Sequence, residues 1–597
     1  MTMDGNVRSG WMLGLVGLIL LGGCIEPGDI DPTMLYRYQR ELASRDGDQR
    51  LSADDLGLYH PAGNGIPELQ VRTVTKRFVK HDAVARLAES DERFDPNDLY
   101  ETRQVKQIPL TLEQAIVRAL ANNLEIQISG YDPAISRQDM VQAAAEFDPV
   151  VFGEWSYEKT DRQGSTLGQI KNRGIQGGIR QKLITGGTWS ASFVQARNFD
   201  DVNGSRWEPE ARFEFTQPLL RNAWPSFNLA RLRIARVSHK AEMQGFRAKV
   251  EDVVAQVIQA YWTLQQAKIE LDIIQGLLEE TIATHNKASI RHEARENVEQ
   301  KQTNSAVVSR QLELLRAEKA VDDAREALEK LLADPQVNLR SDAHIMPVTL
   351  PDPTPLNIDA GDQLLTALKH NPVLQQARYA ISVAAINVEV ARNQTLPRLD
   401  LTLSGGLHGR DRARGQANDY LYAGDYASYS MVIAAEYPIG NRERLAELYA
   451  RRLQRAQSIT RMQETADQIA QLIQERIREI RTTYEEWQQR NREVAMLRKL
   501  VVGFETLVQE KEMTPNNLQL LLDAQARLAT ALRAQARALV GYQNAQADLA
   551  RVTGTILQAG NVKIALPAAA GEAPWPDAQV VEPLRPEVVE DEEQIEG

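Results

Sequence analysis

The chain has 597 residues, a quarter of them charged, with a net charge of −12 and a mean hydropathy of −0.40. An acidic balance of this kind leaves no basic face for a nucleic-acid partner. Apart from one apolar run near the N-terminus, no stretch of about 20 apolar residues exists, so any passage through a membrane falls to strands.

That first run has the layout of a secretory signal: Arg8 before it, an apolar core from Trp11 to Leu20, and Leu21-Gly22-Gly23-Cys24 closing it. The same four residues resemble the bacterial lipoprotein box, which would make 1–23 the signal peptide and Cys24 the lipidated first residue. Ile25, standing where an aspartate would retain such a protein at the inner membrane, favours the outer one. The plainer reading is a secretory peptide with a chance cysteine. A single cysteine forms no intramolecular disulfide, so stability must come from packing. Residues 24–105 read as an N-terminal extension, charged and with a dispersed helical pattern, that wraps the rest or is partly disordered.

The remainder reads as two copies of one unit, 106–334 and 362–558, joined by a linker at 335–361. Aligning Asn123 with Asn371, an offset of 248, brings Leu120 to Leu368, Tyr131 to Tyr379 and Pro149 to Pro397. Pro218 pairs with Pro438 at an offset of 220, so the first copy is longer by 248 − 220 = 28 residues, all between its two prolines. Each copy reads helix, strands, long helix, turn, helix. The leading helices are expected at about Leu112–Glu146 and Asp362–Gln394, the long ones at 225–294 and 442–512, and the returning ones at 298–333 and 515–552. Apolar residues recur at helical spacing along both long segments: Val250, Val254, Val257, Tyr261 and Leu264, then Ile469, Ile473, Ile477, Ile480, Tyr484 and Trp487. A leading and a returning helix together equal one long helix, on the order of 100 Å at about 1.5 Å per residue. Two short helices stacked end to end would therefore lie beside one long helix.

Between the prolines (148–218 and 397–438) the period is two. Val151, Gly153, Trp155 and Tyr157 share one face, as do Leu401, Leu403, Gly405 and Leu407, and Tyr429, Met431, Ile433 and Ala435. Runs of about 10 residues suit tilted membrane strands, apolar outside and polar inside. Pro149 and Pro397 stand where a rising strand begins, Pro218 and Pro438 where a falling strand ends. Proline donates no ladder hydrogen bond and stops a helix, so it suits a junction between barrel and helix. The extra residues hold "GIQGGIRQKLI" and "TWSASFVQARN" about Gly186-Gly187, which gives six strands per chain if they insert in the sheet and four if they form an external loop. Neither number closes a membrane barrel alone, and an open edge in lipid is prohibitive, so the wall must be shared between chains.

Duplicated halves, strands ending in "QPLLRN" and "EYPIGNR", and "LQLLLDAQARLATA" after the second turn together resemble the TolC-like outer-membrane efflux proteins, outer membrane factor lipoproteins, over residues 106–558. The resemblance implies an α+β membrane protein: a trimeric, shared transmembrane β-barrel plus a long periplasmic α-helical barrel, built from an internal duplication. It implies a passive exit duct of a tripartite efflux or type I secretion system. Its partners would be two further copies, a periplasmic adaptor, an inner-membrane pump and outer-membrane lipid. Substrate choice in that family rests mostly with the pump. The family's gate and adaptor contacts lie at the helix tips. Here that puts Glu505, Glu510 and Glu512 at a candidate cation-selecting ring, and Arg295, Glu296, Thr514, Pro515 and Asn516 at a candidate adaptor contact. The plainer reading of the three glutamates is solvated charge.

The segment 559–597, rich in proline, alanine and acidic residues, reads as a disordered tail. Eight scattered histidines without an HExxH, GxSxG or phosphate-loop motif argue against an enzyme, and no cofactor or metal site is expected. The alternative function is a periplasmic coiled-coil lipoprotein scaffold without a pore.

Overall fold

A computed structural model describes residues 71–79, 100–161, 169–200, 204–290, 298–334, 336, 343–510 and 514–559, all within one compact unit, His60–Ile564. The signal segment, Cys24 and the acidic tail lie outside the described residues.

Two sheets form. The small one comprises β1 (Arg72–Val79), β2 (Tyr100–Leu110) and β7 (Ala343–Pro347), with β2 antiparallel to β1 and parallel to β7. Within the extension 24–105, read as helical in pattern, β1 and the start of β2 are strand instead; the rest of that segment, Val71 apart, lies outside the described residues. β2 is fixed by pairing with the linker, a partner more than 230 positions away that local pattern does not reveal. The large sheet is an antiparallel meander in the order β3 (Val150–Asp161), β4 (Gln169–Lys182), β5 (Thr188–Asp200), β6 (Gly204–Pro218), β8 (Arg398–His408), β9 (Ala427–Glu436). The extra residues of the first copy are thus β4 and β5, inside the sheet, and the chain contributes six strands.

The leading helix of each copy is two helices: α1 (Leu112–Asn122) and α2 (Leu124–Ala144), then α6 (Ala360–His370) and α7 (Pro372–Gln394). The single helices expected there are broken at Asn123 and Asn371, which leave helical geometry at ψ 125° and 120°. After a short turn α3 (Pro225–Asn228) runs α4 (Ala230–Ile290, 61 residues). Its return is α5 (Val298–Leu332). In the second copy α9 (Arg442–Glu510, 69 residues) returns as α10 (Pro515–Thr553), followed by α11 (Ile556–Ala559). Between β8 and β9 sits α8 (Arg414–Ala423).

The stacking follows from the two asparagines. Asn123 Oδ1 accepts from the backbone N–H groups of Glu125 and Ile126, capping α2, while its Nδ2 donates to the Leu331 carbonyl at the end of α5, at 2.7 Å. Asn371 caps α7 through Leu374 N–H and donates to the Val552 carbonyl near the end of α10, at 2.8 Å. Each therefore joins the C-terminus of a returning helix to the N-terminus of a leading one. Donors left over at one helix end meet acceptors left over at the other, and the dipoles align head to tail. At the second joint Gly554, at φ +71°, lets α10 end against the chain break: a Cβ there would stand 2.6 Å from the His370 carbonyl oxygen.

The joined pairs lie beside the long helices as staves. α4 packs between α2 and α5 on one side and α7 and α10 on the other, and α7 and α10 also pack on α9. Ile469, Ile473, Ile480, Tyr542, Leu549 and Val552 form the core of one such seam, and Ile274, Leu278, Ile282, Val307 and Leu314 another. The linker is strapped across the staves by two buried tyrosines. The Tyr261 hydroxyl donates to the Leu110 carbonyl and accepts from Val348 and Thr349 N–H groups, and the Tyr542 hydroxyl donates to the Thr354 carbonyl. Arg118 on α1 forms a buried ion pair with Asp334 at the end of α5.

Replacing Asn371 by Ala removes a cap, about 1 kcal/mol, and leaves the buried Val552 carbonyl unpaired, about 1–3 kcal/mol more. A loss of roughly 2–4 kcal/mol in a denaturant melt is expected, and Asn371→Asp should recover only the cap.

Candidate functional site

The large sheet has two unlike faces. Cross-strand pairs put Val151, Ile179, Ala191, Phe213, Gly405 and Tyr429 in one row, and Trp189, Phe215, Leu403 and Met431 in another. Opposed residues of an antiparallel pair share a face, so these rows make one apolar surface across all six strands. Much of it is bare to solvent: Val151 is 78% exposed, Trp155 70% and Tyr429 88%. The reverse face carries Glu154, Gln176, Ser192, Glu210, Arg212, Glu214, Ser404 and Ser430, with hydroxyls paired across strands at Thr216–Thr402 (3.1 Å) and Ser404–Ser430 (2.8 Å). A bare apolar face backed by a polar one has the inverse of a soluble protein's economy and matches a wall between lipid and a water-filled lumen.

All four prolines sit at the same end of this sheet. Pro149 and Pro397 directly precede β3 and β8, Pro218 is the last residue of β6, and Pro438 follows β9 by two positions. The backbone turns there with side-chain amides filling the gaps. Asn393 Oδ1 accepts from Asn222 N–H at 2.8 Å, Asn228 Nδ2 donates to the Asn222 carbonyl at 2.9 Å, and Asn441 Nδ2 donates to the Thr395 carbonyl at 2.9 Å. Asn222, Trp224 and Asn441 have positive φ, a strained geometry that such bonds hold in place. Gly186, at φ +90° in the β4–β5 turn, packs into this collar: a Cβ would stand 2.3 Å from the Asn222 oxygen. The repeat alignment points to the prolines; the asparagines that complete the collar carry no periodic signal.

At the opposite end of the staves, Arg295, Glu296 and Glu512 lie outside the described residues, as does the side chain of Glu510. Thr514 caps α10 by accepting from Asn517 N–H at 3.3 Å, and Thr514, Pro515 and Asn516 are exposed. Pro515 at the first helical position fixes where the return begins. Glu505 lies on α9 beside a seam of Val501, Phe504, Val508 and Leu521. It also faces a partner the sequence reading did not name: the Glu280 carboxyl of α4 is held above its ordinary range by partial burial and then by the charge of Glu505. A signal for Glu280 was present. Following the repeat down from Tyr261 and Tyr484, offset 223, Glu280-Thr281-Ile282 meets Glu505-Thr506-Leu507 at 225. Nearby, His285 donates to or accepts from Thr303 at 2.7 Å, and burial lowers its pKa, favouring the neutral ring. Among the described residues no three potential metal ligands gather, and no helix is long and apolar enough to cross a membrane.

Midway along the staves, polar side chains meet between α4 and α10. Arg247 reaches Glu251 at 2.9 Å and the Gly554 carbonyl at 2.8 Å, Arg551 pairs with Asp252 at 2.8 Å, and Gln259 donates to Asp548 at 2.9 Å. Glu251 is 2% exposed. Burial pushes its pKa up to about 7, outweighing the opposing pull of Arg247.

Residues 364–555 match the family model described as outer membrane efflux protein. Solved structures share the fold over most of the chain. CusC matches with a TM-score of 0.56 and 15% identity, over 74% of this chain and 92% of its own. The CmeC outer membrane channel of Campylobacter jejuni matches with 0.56 and 15%, over 74% and 86%. The MtrE outer membrane channel of Neisseria gonorrhoeae, in its open state, matches with 0.55 and 15%, over 75% and 89%. At such identity the likeness is one of fold. No curated protein sequence matches the chain.

Glu251 makes stability depend on pH. The folded carboxyl keeps its proton up to about pH 7, whereas the unfolded one releases it near 4.5, so stability falls as pH rises through that window. Glu251→Gln should be more stable than the parent at pH 8 by up to about 3 kcal/mol. Thermal melts at pH 8 and pH 4.5 should show that gap closing at the lower pH.

Proposed function

We infer, from a second repeat that belongs to the outer membrane efflux protein family and a fold shared with outer membrane channels, that this protein is a passive exit duct of the outer membrane. The observation that carries the reading is the bare apolar face of a six-stranded sheet whose two edges, β3 and β9, are unpaired among the described residues. In lipid those edges need partners. The chain supplies them in register with its staves: β3 follows α2, and β9 leads into α9. On α2, Leu124, Ile128 and Ile135 are bare, and on α9, Leu445, Tyr449 and Leu453. Both open faces are apolar and lie at opposite margins of the subunit, the condition for a head-to-tail ring.

The ring is a homotrimer. Three copies give 3 × 6 = 18 strands over 3 × 4 = 12 helical staves. The staves extend into the periplasm. Their tips, with Arg295, Glu296, Thr514, Pro515 and Asn516, meet a periplasmic adaptor that links the duct to an inner-membrane pump of an efflux or type I secretion system. Cys24 carries the lipid that tethers the N-terminus to the outer membrane. Glu280 and Glu505, repeated threefold, with Glu510 and Glu512 beyond them, form the cation-selecting ring.

Cysteines at Ile128 and Tyr449 should crosslink neighbouring subunits into trimers on denaturing gels. Reconstituted in bilayers, the protein should form cation-preferring channels, and Glu280→Gln with Glu505→Gln should reduce that preference several-fold. Acidification should do the same at a higher pH than an ordinary glutamate requires, because Glu280 takes up its proton early. A delipidated chain that stays monomeric in plain buffer with no detergent belt would instead be the scaffold without a pore.

A further inference from the structure

At the end of the sheet farthest from the staves, the apolar face changes character. Near its end run the rows Tyr157–Arg173–Arg197–Trp207 and Lys159–Lys171–Phe199–Ser205, each read straight across from β3 to β6, with the pair Asp161–Gln169 one row beyond. Arg173 stands directly opposite Arg197, and Lys159 directly opposite Lys171. Like charges so placed repel, and two such pairs occupy adjacent rows, about 7 Å apart along the strands. The cations lie over rings: Lys171 over Phe199 at 5.4 Å, Arg173 over Tyr157 at 5.3 Å, and Arg197 over Trp207 at 5.4 Å. Arg414, from α8, joins them over the same Trp207 at 5.4 Å. Among the described residues no carboxylate pairs with Lys171, Arg173, Arg197 or Arg414. Glu158, which bonds Asn172, and Glu208, which bonds Asn198 and Arg410, belong to the other face; on this face Asp411 stands opposite Trp207, its carboxylate accepting from Ala413 N–H, and Asp161 follows Lys159 by one row.

We propose that this rim is a docking site for the phosphate headgroup of a membrane lipid in the leaflet away from the staves. The inference rests on the reading of the sheet as a membrane wall. Along β6, Phe215 and Trp207 are eight positions apart, about 27 Å along the strand at roughly 3.4 Å per residue and about 21 Å of height at a tilt of about 40°, most of the height of about 25 Å expected of a lipid-facing apolar band. The cations therefore sit where acyl chains give way to headgroups. Each of these cations has a ring against it, and the cation–π contact leaves N–H groups for an anion. A phosphomonoester, with two charges and three acceptor oxygens, answers two opposed arginines and a lysine better than a zwitterionic headgroup does.

The test uses the full-length protein in dodecyl maltoside, titrated with short-chain phosphatidic acid or, at the same mole fraction, phosphatidylcholine, with bound lipid read by native mass spectrometry. Phosphatidic acid should bind at least tenfold tighter. Lys171→Gln, Arg173→Gln and Arg197→Gln should each weaken it about fivefold, while Arg180→Gln, on the opposite face, should not. Equal binding of the two lipids by a protein that keeps its detergent belt overturns the rim alone. Failure to keep a detergent belt overturns the membrane wall and the rim together. Inorganic phosphate that displaces phosphatidic acid at equal concentration also overturns the proposal, since the site would then take free phosphate.

Discussion

Two buried asparagines, Asn123 and Asn371, set the geometry on which the rest of this protein is built. Each caps one helix and closes the end of another, so that two short helices behave as one stave as long as α4 or α9. A break of this kind in a helix normally exposes four donors and four acceptors. Here the break is turned inward and its leftover groups are matched across it. That is why a chain of modest hydrophobicity can sustain helices on the order of 100 Å: stability is spread along seams of Ile, Leu, Val and Tyr instead of being gathered in one core.

The staves in turn dictate what the sheet can do. They leave the meander at a single end, through the asparagine and proline collar, so every strand is presented in the same direction with one apolar and one polar face. A sheet of six strands with open edges and a bare apolar face is incomplete as a monomer. The helical part is incomplete at the same two margins, where α2 and α9 are bare. Strand edges and helix faces thus ask for one and the same neighbour.

Much of this was legible in the sequence because duplication doubles every signal. Asn123 aligned with Asn371 before either had a role, and the prolines marked the junctions because proline's missing N–H restricts where it can stand. The 28 additional residues were recognisable as a hairpin by their alternation, although only pairing on both sides decided that β4 and β5 insert between β3 and β6. The break at Asn371 was marked by Pro372, which restricts the residue before it; the one at Asn123 has no proline beside it and appears only when a carbonyl from α5 is available to bond it. The strands β1 and β2 were missed for a related reason: their register depends on each other and on β7, a distant segment. Glu280 carried a trace in the repeat, the Glu-Thr pair it shares with Glu505-Thr506, but a role for it emerges only when the charge of Glu505 on α9 is seen to act on it.

The hairpin inserted in the first repeat has a consequence for circumference. Eighteen strands spaced about 4.8 Å apart and tilted by about 40° encircle roughly 110 Å, and twelve helices at about 8–10 Å spacing encircle roughly 95–120 Å. Twelve strands would reach only about 75 Å by the same reckoning. With β4 and β5 in place, the lipid-embedded ring and the helical ring have matching girths in the proposed assembly. The collar then joins two cylinders of equal bore, and any narrowing of the conduit falls to the helix tips.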